Sequence, residues 1–191
     1  MRKIIIYLFL ILTFICSCSG KNNTASDWIE KEKALWDGRQ YADPEKAVEY
    51  LNNAIKLQQN NVTAYNKRGN AYTQLGQYQR AIEDYNKAIL LKPDNVTAYN
   101  NRGNAYTQLG QHQKAIEDYK EAILLKPDDL YAYYNMACCF AIQKKGKQAC
   151  HYLTLAIERG FGNWTYLEKD KDFNNIRNTA CFIDILNKSG K

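Results

Sequence analysis

Two adjacent segments with nearly the same sequence constrain what this chain can fold into. Residues 62–95 and 96–129 align without a gap over 34 positions and differ at only six of them. A fixed period of this length is the sequence signature of a repeat array. A single unit of such an array cannot bury its apolar surface alone, so the repeat predicts a stack of similar units.

Each unit contains two amphipathic patterns separated by a glycine. The first predicted helix has one face at positions i, i+3, i+4 and i+7. Its residues are Tyr65, Arg68, Gly69 and Tyr72. Gly76 then permits the left-handed turn that ends this helix. The face of the second predicted helix is formed by Ala81, Tyr85, Ala88 and Ile89. Pro93 ends the second helix.

Small and large side chains alternate where the two helices of a unit are expected to cross. Gly69, Ala81 and Ala88 are small, so the two backbones can approach closely. The rings of Tyr65, Tyr72 and Tyr85 are expected to fill the space beside them.

These positions carry a resemblance to a known family. The run Tyr65, Gly69, Tyr72, Gly76, Tyr78, Ala81, Tyr85, Ala88 and Pro93 resembles the tetratricopeptide repeat (TPR). The next unit repeats it with Tyr99, Gly103, Tyr106, Gly110, Ala115, Tyr119, Ala122 and Pro127. The resemblance implies an all-α fold, an α-solenoid of antiparallel helix pairs. Arg68 and Arg102 stand where the family usually has leucine, and we expect their guanidinium groups to reach Asp84 and Asp118.

The flanking sequence extends the array. Residues 28–61 look like a degenerate first unit with Asp43-Pro44 at a helix start, and residues 130–163 look like a fourth unit with Gly146 near its turn. Residues 164–191 leave the period and predict a short helix, a turn and a final helix from about 178 to 188. The resulting organisation is a signal at 1–17, a polar tether at 18–27, units at 28–61, 62–95, 96–129 and 130–163, and a helical cap at 164–191.

The N-terminus has the pattern of an export signal. Arg2 and Lys3 precede an apolar run of about 12 residues, which is shorter than the roughly 20 that a helix needs to cross a bilayer. The end of the run, Ile15-Cys16-Ser17-Cys18, resembles a bacterial lipobox. The resemblance implies acylation of Cys18 and a membrane-anchored lipoprotein. Cys16 is a weaker candidate, because Ile15 is too large for the position before the cleavage site.

Two alternatives for this segment stay open, a plain signal peptide with incidental cysteines and an uncleaved anchor. Two or more acyl chains anchor a protein stably, because each buried CH₂ contributes about 0.8 kcal/mol. Ser19 follows the cysteine in place of the aspartate that favours inner-membrane retention in enteric-type bacteria. The outer membrane is therefore favoured, whereas the leaflet is undecided.

Sites for chemistry are sparse in the sequence. There is no phosphate-cradling glycine loop, nucleophile elbow or His-Glu-x-x-His motif, so we expect no enzyme activity, no cofactor and no small-molecule substrate. No Cys-x-x-Cys occurs and the two histidines, His112 and His151, lie in different units, which argues against a metal site. Export permits disulfides. A Cys139–Cys150 bridge is conceivable, although reduced, buried cysteines are the plainer interpretation.

The distribution of charge along the chain gives no indication of a nucleic-acid partner. The chain carries +6, and removal of Arg2 and Lys3 with the signal leaves +4. Basic residues alternate with acids along the array, and no arginine cluster with interleaved aromatics occurs, so we expect no nucleic-acid partner.

A partner-binding face is the remaining candidate site. In the family that the chain resembles, the first helices of the units line a concave groove that receives a peptide or a helix. The matching positions here are Thr63, Asn66, Asn70, Thr73, Gln74, Thr97, Asn100, Asn104, Thr107, Gln108, Tyr131 and Tyr134. Asparagine and glutamine can pair with both the N–H and the C=O of a peptide backbone. The clamp with which some family members hold a terminal carboxylate matches only at Asn70 and Asn101.

The sequence therefore predicts a non-enzymatic scaffold lipoprotein of the bacterial envelope that binds a protein partner. An accessory structural subunit of an outer-membrane assembly or secretion complex is the alternative. Alanine at Asn70 and Asn104 is expected to weaken the partner's binding without lowering the melting temperature.

Overall fold

The computed structural model describes residues 23–188 and contains, over that range, ten α-helices, one 3₁₀-helix and no β-sheet. The helices are α1 (Ala25–Lys33), α2 (Pro44–Leu57), α3 (Val62–Gln74), α4 (Tyr78–Leu91), α5 (Val96–Gln108), α6 (His112–Leu125), α7 (Leu130–Ile142), α8 (Gly146–Glu158), α9 (Trp164–Lys169) and α10 (Ala180–Lys188), with the 3₁₀-helix at Lys171–Phe173. Each helix of the array packs against the next one. The predicted all-α solenoid is confirmed. The predicted signal, Cys16 and Cys18 lie outside the described residues.

The first helices of the repeated units begin at side-chain caps that recur with the period. Asn61 Oδ1 accepts a hydrogen bond from the backbone N–H of Ala64 at 2.9 Å. Asn95 caps α5 in the same way, and Asp129 caps α7 through the N–H of Tyr131. These residues satisfy backbone donors that a helix start leaves unpaired. The repeat thus fixes where each unit begins.

The turns between the two helices of a unit need a left-handed residue. Gly76 and Gly110 both have φ near +70°, as the sequence predicts. In the fourth unit the structure places Lys144, with φ of 59°, at the equivalent position. Gly146 is instead the first residue of α8. The expectation that Gly146 lies near the turn did not identify the left-handed residue. The position within the repeat identifies it, since Lys144 is 68 residues, or two repeat periods, after Gly76.

The chain becomes helical earlier than its polar composition suggests. Thr24 and Asp27 form a reciprocal capping box, in which each side chain accepts from the other residue's backbone N–H. Because this box starts α1 at Ala25, the last three residues of the predicted tether belong to the fold.

The two helices of each central unit meet at a glycine and a tyrosine ring. A Cβ placed on Gly69 would lie 2.5 Å from Tyr85 Cε1, and one placed on Gly103 would lie 2.6 Å from Tyr119 Cε1. Both tyrosines are about 1% exposed. Only glycine admits a ring this close to the helix backbone.

The fourth unit has different side chains at the positions of this crossing. In the fourth unit, Ala137 and Leu153 occupy the positions of Gly69 and Tyr85, and both are fully buried. Ala137 is larger than the glycine of the central units, and Leu153 is smaller than their tyrosine. The two changes together keep the total side-chain volume at the crossing similar.

The arginines that depart from the family pattern form ion pairs with buried aspartates, as expected. Arg68 donates to both carboxylate oxygens of Asp84, at 2.8 and 2.6 Å, and Arg102 treats Asp118 in the same way. The remaining guanidinium nitrogen of Arg68 donates to Asn52 of the preceding unit at 2.7 Å. Each arginine therefore joins the two helices of its own unit and fastens that unit to its neighbour.

The C-terminal cap closes the apolar end of the array. Phe173 and Phe182 are fully buried and stack with centroids 5.3 Å apart. Cys150 of α8 forms a disulfide with Cys181 of α10. The Cys139–Cys150 bridge that the sequence left open is therefore wrong. The interpretation of reduced, buried cysteines is confirmed for Cys138 and Cys139 and is wrong for Cys150 and Cys181. The disulfide holds the last helix against the fourth unit.

Replacement of Gly69 by alanine should destabilise the protein. The new Cβ would overlap the Tyr85 ring, and overpacking of this kind costs about 1–3 kcal/mol, part of which the better helix propensity of alanine offsets. Urea unfolding followed by circular dichroism measures the loss. Gly146→Ala is the matched control, because its Cβ would meet only ordinary contacts at 3.7 Å. Equal stability of the two variants would contradict the packing described here.

Reduction of the disulfide should lower the free energy of unfolding. The bridge closes a segment with a sequence separation of 31 residues, and loss of such a cross-link costs roughly 3–4 kcal/mol on the chain-entropy account. Urea unfolding with and without reductant measures the change. Cys181→Ala should show the lower stability in both conditions, and an unchanged midpoint for the reduced wild-type chain would show that the bridge is absent.

Candidate functional site

Three adjoining cavities follow the first helices toward the C-terminal cap. Their volumes are about 310, 420 and 510 Å³. Asn135 of α7 lines all three, and Asn104, Tyr131 and Tyr134 each line two. Because the cavities share walls, we treat them as one feature and call it the groove. We name each cavity after the side chains that line it. The cavity of about 310 Å³ is the acidic cavity, that of about 420 Å³ is the aromatic cavity, and that of about 510 Å³ is the amide cavity.

Most of the predicted partner-binding residues lie along this groove. Those that line it are Thr73, Thr97, Asn100, Asn104, Thr107, Gln108, Tyr131 and Tyr134. Thr63, Asn66, Asn70 and Gln74 do not line it. Most of the lining residues belong to α5, α7 and the cap, and Thr73 is the one predicted residue of α3 among them.

Gln74 pairs with the chain's own backbone. Its Oε1 accepts from the N–H of Tyr41, and its Nε2 donates to the C=O of Tyr41, both at 2.7 Å. Tyr41 forms an isolated antiparallel bridge with Trp36 in the loop between α1 and α2. Gln74 thus holds an extended backbone through both of its polar atoms. The sequence predicts such a pairing with a partner, whereas the backbone that Gln74 holds is internal.

Asn70 and Asn104 have structural partners as well. Asn70 Oδ1 accepts from the hydroxyl of Tyr85 and from Nδ2 of Asn101, each at 2.8 Å. Asn104 repeats this with Tyr119 and Asn135, at 2.7 and 2.9 Å. Each asparagine links the buried tyrosine of its own unit to the first helix of the next unit. Alanine at either position therefore removes structural hydrogen bonds, and the expectation of an unchanged melting temperature no longer follows.

The same bonds bear on the carboxylate clamp. Asn70 and Asn101, the two residues that match its positions, hydrogen-bond to each other.

Thr73 and Thr107 also bond internally, since each hydroxyl donates to the carbonyl of the glycine four residues earlier. The amide oxygens of Asn66 and Asn100 are buried without a hydrogen-bond partner in the described part of the chain. Thr63, Thr97, Gln108 and Tyr131 are exposed to solvent.

The aromatic cavity is built on Tyr134. Its ring is buried and stacks on Phe161 with centroids 4.5 Å apart. Tyr166 lies beside it with a centroid separation of 6.2 Å, and the ring of Tyr131 is 68% exposed at the cavity mouth. Large aromatic surfaces with one open face are typical of partner contacts.

The acidic cavity contains residues that the sequence analysis missed. Asp170 and Asp172, which flank the start of the 3₁₀-helix, lie in its wall together with Cys138 of α7. Asp170 Oδ2 accepts from the hydroxyl of Tyr134, and its Oδ1 accepts from the backbone N–H of Asp172 at 3.0 Å. The interruption of the apolar pattern at 170–172 was visible in the sequence. Its position against α7 was not, because this segment has no counterpart in the repeat.

The titration of Asp172 responds to its surroundings. Burial raises the pKa of the Asp172 carboxyl, and the negative charge of Asp170 raises it further. Burial also holds the pKa of the Cys138 thiol well above its usual range. A cation placed between the carboxylates would favour their ionised forms.

Cys138, Asp170 and Asp172 also form the one cluster in residues 23–188 whose ligand atoms could hold a metal ion, all within 4.8 Å of one another. A thiol with a raised pKa is a poor metal ligand, because metals bind the thiolate.

Within the described residues, no helix is long and apolar enough to cross a bilayer.

Family profiles match the central part of the chain. The profile described as "TPR repeat" matches residues 43–76 and 69–110, and the one described as "Tetratricopeptide repeat" matches residues 96–129. No curated protein sequence matches the chain.

Several solved structures resemble the fold. The crystal structure of MamA is 26% identical, with a TM-score of 0.67 over 77% of this chain and 83% of that one. The TPR domain of Arabidopsis OM64 is 33% identical, with a TM-score of 0.56 over 60% of this chain and 93% of that one. The second TPR domain of human RPAP3, solved in complex with the HSP70 peptide SGPTIEEVD, is 25% identical, with a TM-score of 0.57 over 60% and 93% of the two chains.

Proposed function

This chain belongs to the tetratricopeptide repeat family, and from that premise we propose that it is a non-enzymatic scaffold whose groove binds an extended segment of a partner protein. The observation that carries the proposal is the pairing of Gln74 with the backbone of Tyr41. Gln108 is the equivalent residue of the next unit, in a sequence identical from residues 103 to 110 to that of 69 to 76. Gln108 is exposed and lines the acidic cavity. The array thus uses one glutamine internally and presents its copy to a partner.

The chemistry of the groove suits a peptide backbone. A primary amide offers a donor and an acceptor at once, which matches the N–H and C=O of a strand-like segment. The amides of Gln108 and Asn135 lie beside the aromatic surface of Tyr131 and Tyr134, which can receive side chains. Main-chain hydrogen bonds would supply affinity, and the aromatic cavity would supply selectivity. The RPAP3 domain, solved with its HSP70 peptide, supports a peptide-binding role by analogy.

A matched pair of substitutions tests this role. Random displayed peptides are first selected on the immobilised full chain, and binding of the selected pool to variants is then measured. Gln108→Ala should weaken binding about fivefold or more through the loss of two hydrogen bonds, with an unchanged melting temperature. Gln74→Ala should instead reduce stability by about 1 kcal/mol and leave peptide affinity near the wild-type value. Equal binding by wild type and Gln108→Ala, or no selected peptides, would overturn the proposal.

We further propose that the protein is exported and lipid-anchored at Cys18, so that its partner is another protein of the bacterial envelope. The charged and apolar N-terminal pattern and the lipobox-like Ile15-Cys16-Ser17-Cys18 support this proposal. The Cys150–Cys181 disulfide supports it independently, because disulfides form and persist in oxidising compartments outside the cytosol. The repeats would then lie in the aqueous phase beside the membrane.

Labelling of growing cells with a radioactive fatty acid tests the anchor. Cys18→Ser should abolish incorporation into the protein and release it into the soluble fraction, because one residue carries the acyl chains. Cys16→Ser is the control and should be labelled like the wild type. Continued labelling of the Cys18→Ser protein would refute this site.

A further inference from the structure

The charge of the groove is opposite to that of the chain. The full sequence carries a net charge of +6, yet the charged residues that line the three cavities are Lys126, Asp129, Asp170 and Asp172. A local field of negative sign in a basic protein selects cationic groups for that part of the surface.

Two of these acids lie outside the ion pairs of the described residues, although Asp170, like Asp129, also accepts internal hydrogen bonds. Asp129 accepts from Asn100 Nδ2 at 2.7 Å and caps α7, so it has an internal role. Asp170 and Asp172 take part in none of the ion pairs of residues 23–188. Arg177 lies nearby, but its guanidinium donates to the backbone carbonyls of Glu168 and Asp170 rather than to a carboxylate. Neither carboxylate of the acidic cavity therefore has a basic partner in an ion pair, although His112 lies close enough to Asp172 to act on it electrostatically.

Tyrosines form much of the remaining wall. Tyr78, Tyr119, Tyr134 and Tyr166 all line this cavity. Tyr119 and Tyr134 are buried, whereas Tyr78 is half-buried and Tyr166 is 54% exposed, so the ring surface open to a ligand is that of Tyr78 and Tyr166. Aromatic rings receive the apolar stem of a long basic side chain and attract a cation over their faces. In this cavity of about 310 Å³, the carboxylates can bind the charged end of a long basic side chain, and the aromatic rings can contact its apolar stem.

We propose that the acidic cavity binds an arginine side chain of the partner segment. The proposal rests on the peptide-binding function above and names the residue that the peptide presents. Arginine is preferred to lysine because its planar fork can donate to Asp170 and Asp172 together while stacking on tyrosine. The Tyr134 hydroxyl and the backbone N–H of Asp172 already orient the Asp170 carboxylate. Little ordering is then needed on binding.

The aromatic cavity can bind a second side chain of the same peptide. It shares Tyr134, Asn135 and Tyr166 with the acidic cavity. Alternate side chains of an extended segment point to the same side. A peptide with its arginine in the acidic cavity would therefore place the side chain two positions away against Phe161 and Tyr131. The structure assigns an apolar or aromatic residue to that second position.

Peptide selection and charge substitution test the inference together. Random displayed peptides are selected on the full chain in the presence of EDTA, so that no divalent cation occupies Cys138, Asp170 and Asp172. A selected arginine peptide and its citrulline analogue, which keeps the shape and loses the charge, are then titrated. Asp172→Asn should weaken the arginine peptide about tenfold and the citrulline peptide less than about twofold, as expected for one charge-assisted contact. Asp128→Asn, the same change at an exposed acid outside the groove, is the control.

Each outcome decides the matter. Enrichment of arginine with an apolar residue two positions away, together with the Asp172→Asn loss, supports the inference. Selected peptides that need Gln108 but lack arginine would overturn the inference and leave the proposed function standing. Selected arginine peptides that bind Asp172→Asn as tightly as the wild type would also overturn it. A selection that enriches no peptide overturns both the inference and the function on which it rests.

Discussion

The contact between a helix glycine and a tyrosine ring is the constraint on which the rest of this structure depends. Gly69 lets the ring of Tyr85 lie against its backbone, and this fixes how the two helices of the unit cross. The same ring carries a hydroxyl that donates to Asn70, whose oxygen also accepts from Asn101 of the next unit. One side chain thus couples the packing within a unit to the register between units, which is the coupling that a repeat array needs.

This coupling also decides which polar residues are left for a partner. Polar side chains near a helix crossing are drawn into the network that holds the tyrosines, because a buried hydroxyl without a partner is costly. Asn70 and Asn104 belong to that network. Gln108, one turn after Asn104 in α5, and Tyr131, at the start of α7, are exposed. We therefore place the proposed binding role on positions that the packing does not use.

Sequence alone predicted what the period determines. The helix pairs, the turn at Gly76, the small residue at Gly69 and the pairing of Arg68 with Asp84 all follow from spacing within one unit. The sequence could not predict contacts made by segments without a repeat counterpart. Cys181 pairs with Cys150 because the cap folds back onto α8, and Asp170 enters the groove by the same route. The use of Gln74 by the loop at Tyr41 was hidden because Gln74 and Gln108 have identical neighbours in the sequence.

The central claim is that a partner binds in the groove between α5, α7 and the cap. Site-specific photo-cross-linking in intact cells tests it most directly, with a photoreactive phenylalanine at Tyr131, which is 68% exposed in the groove, or at Leu124 of α6, which is 74% exposed outside it. The account predicts a discrete cross-linked partner from position 131, reduced by Gln108→Ala, and none from position 124. Cross-linking of the partner from 124 but not from 131 would contradict it.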